Sequence, residues 1–100
     1  MESLVFNFPA GAPARHRARA GVVGSGDLEV LLQPQSAGRI DVSVTTSVGG
    51  MAAIWQAQLS RIFTAQAWPS AAIEINDFGA TPAVVRLRLE QVLEAVCAQP

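Results

Sequence analysis

Lysine and tyrosine are missing from this sequence, and cysteine and histidine occur once each, as Cys97 and His16. A single cysteine excludes an intrachain disulfide, and a metal site would have to be built almost without sulfur. No Cys/His pairing has a useful spacing, so no zinc or other metal site is expected. All seven basic residues are arginine, which reads as composition bias rather than chemistry. The net charge of −1 gives no electrostatic case for nucleic acid or an anionic membrane surface. The start, Met1-Glu2-Ser3-Leu4, has no basic stretch followed by an apolar core, so it does not read as a signal peptide. No apolar run approaches the roughly 20 residues that span a bilayer. A soluble, cytoplasmic protein is expected.

The catalytic inventory is equally thin. His16 lies nine positions before Ser25, and in a regular hairpin strand rise would carry it roughly 30 Å away, which leaves no Ser/His/Asp relay. Eight acidic residues are present, but no spacing singles out a pair for acid/base work. Gly21, Gly24 and Gly26 form no dinucleotide fingerprint, because the following residues continue as a strand rather than a helix. Asp77-Phe78-Gly79 echoes the metal-binding triplet of kinases, with nothing else of a kinase around it. Chemistry is expected to arrive on something attached.

What is present is a pattern for one domain spanning residues 1–100: half of the residues are hydrophobic, enough for a single core at this length. Leu4–Phe8 reads as a short strand ending at Pro9, and Arg17–Val23 as a second. Leu28–Leu32 is the return strand, with Leu28, Val30 and Leu32 on one face, and Gln35-Ser36-Ala37-Gly38 is a turn. Arg39–Val48 alternates Ile40, Val42 and Val44 against Asp41, Ser43 and Thr45. From Met51 the period becomes helical: Met51, Trp55, Leu59, Ile62 and Phe63 form one stripe of a helix running to about Gln66, most simply a core stripe. Ala71–Asn76 is another strand. Thr81 suits a helix N-cap and Pro82 the first helical position of a last helix to about Ala98, with Val85, Leu89, Val92, Leu93 and Val96 on its apolar side. Arg86 and Glu90 are spaced for an i,i+4 pair. The order β β β β α β α predicts an α+β fold: a mainly antiparallel sheet of about five strands, with a hairpin-rich N-terminal half and two α-helices on one face.

Two stretches stand out. Gly24-Ser25-Gly26-Asp27 separates two apolar runs and consists of turn formers, which would put the Ser25 hydroxyl at the tip of a hairpin between small neighbours. Spacing alone favours a plain β-turn, since such residues are common in turns. Arg15, His16, Arg17 and Arg19 form the only basic cluster. A solvated strand face explains them, and a dock for a phosphate or an acidic surface is the functional alternative.

The segment Gly21-Val22-Val23-Gly24-Ser25-Gly26-Asp27-Leu28-Glu29-Val30-Leu31-Leu32 resembles the attachment segment of the acyl carrier (delta) subunits of malonate decarboxylase. Phe6-Asn7-Phe8-Pro9-Ala10-Gly11, Asp77-Phe78-Gly79-Ala80-Thr81-Pro82 and Val84–Gln91 resemble the same family, so the likeness covers essentially the whole chain. Gln33 and Ala83 depart from it, where an acidic residue and a glycine are expected. The resemblance implies that Ser25 carries 2'-(5''-phosphoribosyl)-3'-dephospho-CoA through a phosphodiester. Gly24, Gly26 and Asp27 would then form the turn that presents it. It also implies that the thiol of this group holds acetyl or malonyl while malonate is converted to acetate and carbon dioxide. The implied partners are a transferase subunit, a carboxyltransferase-like decarboxylase pair and the holo-carrier synthase that attaches the group, and the chain itself would be non-catalytic. The citrate lyase acyl carrier is similar in its prosthetic group. The commonest acyl carriers differ: they are acidic helical bundles with Asp-Ser-Leu at a helix start, so a different fold is expected here.

A carrier needs a protruding hydroxyl and small flanks, and a tethered arm raises local concentration at each partner. In that light Arg17 or Arg19 would contact an acidic partner surface or a phosphate of the arm. Asp27 would either fix the turn by accepting a backbone N–H or be read by the attaching enzyme. An unmodified docking subunit of an enzyme complex is the alternative reading, and a small stand-alone enzyme ranks below both.

Overall fold

Alternating strands and two striped helices have one economical arrangement, a sheet with one face covered, and the computed structural model has it. It describes residues 1–97. The elements are β1 (Glu2–Pro9), β2 (Ala18–Gly21), β3 (Leu28–Pro34), β4 (Arg39–Thr46), α1 (Ala52–Phe63), β5 (Ala71–Asp77) and α2 (Pro82–Cys97). The expected end of the last helix, Ala98, lies outside the described residues.

The five strands lie in the order β1-β4-β5-β3-β2. Three pairings are antiparallel and β4–β5 is parallel. A parallel pair cannot be joined by a tight turn, and α1 is the crossover between β4 and β5. β5 is thus inserted between β3 and β4. Of the N-terminal strands only β2 and β3 form a hairpin between sequence neighbours, rather than the expected run of hairpins.

Burial follows the alternation. Phe6 and Phe8, Leu28, Val30 and Leu32, Ile40, Val42 and Val44, and Ala71, Ile73 and Ile75 all point to the covered face. Trp55, Leu59 and Phe63 of α1 and Val85, Leu89, Val92, Leu93 and Val96 of α2 close the core from above. Helix α1 lies over β1, where the Phe8 and Phe63 rings pack with centroids 5.2 Å apart. Helix α2 lies over β2 and β3. Fully burying one leucine such as Leu89 contributes about 2 kcal/mol, so this layer supplies most of the drive to fold.

The ends of the elements show where propensity yields to local chemistry. β2 stops at Gly21, two residues before the expected end, because Gly21 turns to φ +84°. α1 stops at Phe63 rather than near Gln66. The Thr64 N–H bonds the Ser60 carbonyl, and the Trp68 indole N–H reaches back to the Ile62 carbonyl at 2.9 Å, taking up an acceptor the last turn leaves free. α2 begins as expected: the Thr81 hydroxyl accepts the Val84 N–H at 3.3 Å, and Pro82 is its first residue. Asp77, at the end of β5, is buried. Its carboxylate accepts the Thr46 hydroxyl at 2.8 Å and the Ala80 N–H at 3.0 Å, which joins the β4 terminus to the approach of α2. Among the described residues no helix is long and apolar enough to cross a membrane.

Candidate functional site

The β2–β3 register runs from Ala18↔Leu32 to Gly21↔Glu29, which puts Ser25 midway between the paired residues. The loop between the strands is Val22–Asp27. Gly21 is required where it stands: at φ +84° a Cβ would lie 1.9 Å from the Leu28 carbonyl oxygen. Beyond it Val22 and Val23 leave the sheet and are 59% and 65% exposed. The tip is a β-turn closed by the Asp27 N–H to the Gly24 carbonyl at 3.1 Å. Gly26 takes the third turn position at φ +78°, the conformation of a type II turn, with nothing within 4 Å of where a Cβ would be. Gly26 therefore serves backbone angle. Gly24 has neither a positive φ nor a close neighbour beyond Val22 Cγ2 at 3.8 Å, so it leaves open space beside Ser25.

The back of this turn is fixed to two other elements. Gly26 N–H donates to the Phe78 carbonyl at 2.8 Å, and Phe78 N–H donates to the Asp27 carbonyl at 3.0 Å. These bonds extend the β3–β5 ladder one step past Leu28↔Asp77. The Asp27 carboxylate accepts the Leu28 N–H at 2.7 Å. It also accepts Nε of Arg88 at 3.3 Å and Nη2 at 2.9 Å, a two-point ion pair reaching across from α2. The two side chains are 26% and 20% exposed. Hydrogen bonds from Arg88, then from the Leu28 N–H, hold the Asp27 carboxyl below its ordinary value of 3.8, against the opposing effect of partial burial. The same contact raises Arg88. Arg88 also donates to Gln91 Oε1 at 3.2 Å, which orients the guanidinium along the helix.

Ser25 itself is exposed, and among the described residues no hydrogen bond engages its hydroxyl. The turn offers a primary alcohol in open space and no base to activate it, since the Asp27 carboxylate is already occupied. Such a site fits a covalently borne group joined through an ester or phosphodiester oxygen.

Arg17 and Arg19 are placed differently. Arg17 precedes β2 and is exposed. Arg19 pairs with Glu29 at 3.4 Å, and that carboxylate also takes the Asn76 amide at 3.2 Å. By register Arg19 lies opposite Leu31, on the uncovered face of the sheet, whereas Arg88 approaches the turn from the helical side. His16 is exposed, with Nδ1 2.9 Å from the Arg17 carbonyl. The cation that the fold brings to the Ser25 turn is thus Arg88, 61 residues from Asp27, with Phe78 as backbone support. Neither role is visible from spacing. The available signal was that Val84, Arg88 and Gln91 form a half-polar row beside the buried stripe of α2, a row suited to contact at an edge.

The chain matches the family model described as malonate decarboxylase delta subunit (MdcD) over residues 15–96. It is 63% identical over 94 residues to the malonate decarboxylase acyl carrier protein of Pseudomonas paraeruginosa (strain DSM 24068 / PA7), covering 94% of this chain and 95% of that one. It is 58% identical over 96 residues to the protein of the same name from Azotobacter vinelandii, covering 96% and 97%. Among solved structures it is similar to a chain in the crystal structure of a Pseudomonas malonate decarboxylase hetero-tetramer in complex with malonate. The TM-score is 0.93 and the identity 56%, over 96% of this chain and 99% of that one. An α+β sheet with its open turn, a matching family model and near full-length relatives agree: this chain belongs to the malonate decarboxylase delta subunit family, the acyl carrier proteins of that enzyme.

Proposed function

We propose that Ser25 is the attachment point of the carrier's prosthetic group, 2'-(5''-phosphoribosyl)-3'-dephospho-CoA, held through a phosphodiester. The observation that carries this reading is an exposed, unengaged hydroxyl at the centre of a turn whose far side is bonded to β5 and α2. A phosphodiester needs a primary alcohol with room for a tetrahedral phosphate, and the glycines on either side of Ser25 leave that room. When attached, the group supplies a thiol for thioester chemistry during conversion of malonate to acetate and carbon dioxide. The chain's own part is to present Ser25 and to hold the turn steady. Gly26 sets the backbone angle, Gly24 keeps the flank small, and Asp27 anchors the base. Catalysis belongs to partners: a transferase subunit, a carboxyltransferase-like decarboxylase pair and a holo-carrier synthase, all in the cytoplasm. Arg17 and Arg19, exposed on the approach to the turn, meet an acidic partner surface or a phosphate of the arm.

Intact-mass measurement on the protein isolated from its own cells during growth on malonate tests this directly. The expected result is a mass increase equal to the arm, mapped to Ser25 and lost in Ser25→Ala. A chain at its bare sequence mass under those conditions sinks the reading and leaves an unmodified docking subunit in its place.

A further inference from the structure

The Asp27–Arg88 pair ties the Ser25 turn to α2. Its partners lie 61 residues apart in the chain, and it sits directly behind the residue proposed to be modified. The loop Val22–Asp27 is short, rich in small residues and exposed at its tip. Left alone, such a segment samples many conformers, and an enzyme that must align its hydroxyl would pay that ordering cost at each encounter. Two attachments limit the sampling. The Gly26–Phe78 and Phe78–Asp27 backbone bonds fix one side, and the two-point Arg88 contact fixes the Asp27 side chain that also bonds the Leu28 N–H. Gly21 lets the chain pass close beneath this contact: a Cβ there would lie 3.4 Å from Arg88 Cδ.

We propose that Arg88 is a positioning residue for attachment at Ser25, and that Asp27 serves attachment through Arg88 rather than by being read directly by the attaching enzyme. This rests on the reading of Ser25 given above. In the step concerned, the Ser25 O–H bond breaks, an Oγ–P bond forms to a phosphoanhydride phosphorus of the activated arm, and the anhydride P–O bond at that phosphorus breaks. The proton passes to the attaching enzyme, and the remaining phosphate portion leaves. Neither Asp27 nor Arg88 touches the reacting atoms. They lower the orientational cost of reaching them.

The two roles for Asp27 separate with Arg88→Gln, which leaves the Asp27 carboxylate in place but unclamped. The full chain is incubated with the attaching enzyme and the activated arm, and the mass gained is followed with time. If positioning is right, Asp27→Asn and Arg88→Gln each lower kcat/KM for attachment about tenfold. The double variant is then no slower than either single, as expected of two residues acting as one unit. Arg88→Lys, which keeps charge but loses the fork, falls between. Amide exchange at Ser25, Gly26 and Asp27 rises in parallel while exchange in β3 and β5 does not. Two results overturn the proposal. In one, Arg88→Gln is modified at the wild-type rate while Asp27→Asn is not, which means direct recognition of Asp27. In the other, losses multiply in the double variant. Should Arg88→Gln fail to fold, Arg88→Lys carries the test, with wild-type attachment and exchange counting against positioning. Wild-type protein that gains no mass at Ser25 overturns the parent reading too, so the two failures are distinguishable.

Discussion

Two short turns bracket β3 and are built from the same kinds of residue. Gly24-Ser25-Gly26-Asp27 precedes the strand and Gln35-Ser36-Ala37-Gly38 follows it. Each has an exposed serine and a glycine at positive φ, +78° at Gly26 and +70° at Gly38. Each stands beside an aspartate paired with an arginine. The pairs differ in reach. Asp41 takes Arg39 from two residues away on the same strand, at 2.9 Å, with the arginine 56% exposed. Gln35 then ties that carboxylate to the Ala71 carbonyl, and the Gly38 carbonyl accepts the Ala10 N–H. This wiring carries the chain past the end of β5 and serves the fold. Asp27 instead takes its arginine from α2, and its wiring runs behind the serine while leaving the hydroxyl free. Composition makes both turns, and they differ in what they are wired to: the second to the sheet through Gln35 and the Ala10 N–H, the first to α2 through Arg88.

Serine exchange should separate the turns most sharply. Ser25→Ala is expected to abolish the prosthetic-group mass increase, and Ser36→Ala to leave it intact. Modification at Ser36 would dissolve the distinction.

Glycine exchange comes next. Gly21→Ala forces a Cβ to within 1.9 Å of the Leu28 carbonyl at a left-handed φ. It should cost about 2 kcal/mol or more in urea unfolding, since both strain and a backbone shift are required. Gly38→Ala has the same sign of φ with open space around it and should cost about 1 kcal/mol. Equal losses would mean that the loop around Ser25 yields as easily as the other turn.

Acid treats the two aspartates alike. Both carboxyls are held below the ordinary 3.8, Asp27 chiefly by hydrogen bonds from Arg88 and Asp41 chiefly by the hydrogen bond from Gln35 and then Arg39. A lowered folded-state value contributes stability that is full above the unfolded value and is lost as pH falls through the folded one. Melting temperature should therefore decline below about pH 4, and Asp27→Asn with Asp41→Asn should flatten that part of the profile. Attachment at neutral pH should respond to Asp27→Asn alone.

The smallest effect is expected on the uncovered face. Arg17→Gln with Arg19→Gln should leave stability within about 0.5 kcal/mol, because the Arg19–Glu29 pair is largely solvated on the arginine side. Assembly or attachment should weaken a few-fold, more at low salt than at high. Unchanged assembly and attachment would leave both as solvated strand residues.

Much of this architecture could be read from the chain, because periodicity is a local property. Leu28, Val30 and Leu32, then Ile40, Val42 and Val44, alternate as their buried faces require, and the α2 stripe from Val85 to Val96 is the one that packs. Thr81 and Pro82 mark the start of that helix by chemistry confined to four residues. The insertion of β5 between β3 and β4 could not be read in the same way, because which strands pair is decided between residues tens of positions apart. The same distance hid Arg88. Ser25 stood out because its neighbours are small, whereas nothing near Asp27 in sequence announces a partner on the last helix. Asp77-Phe78-Gly79 illustrates both sides. Its likeness to a kinase triplet is coincidence. Asp77 anchors the approach to α2, and the Phe78 backbone supports the serine turn.

The reach of the Trp68 indole to the last turn of α1 has a consequence for anyone following this protein by light. Trp55 lies within α1 and Trp68 closes its end, so both fluorophores report on the same helix. Fraying of α1 should free the Trp68 indole and change the emission. Loosening of the Ser25 turn takes place at the β2–β3 end, where there is no tryptophan, and should leave the spectrum native. A variant pronounced intact by its fluorescence can therefore have lost the part of the molecule that presents the serine, and mass or amide exchange is needed to see it.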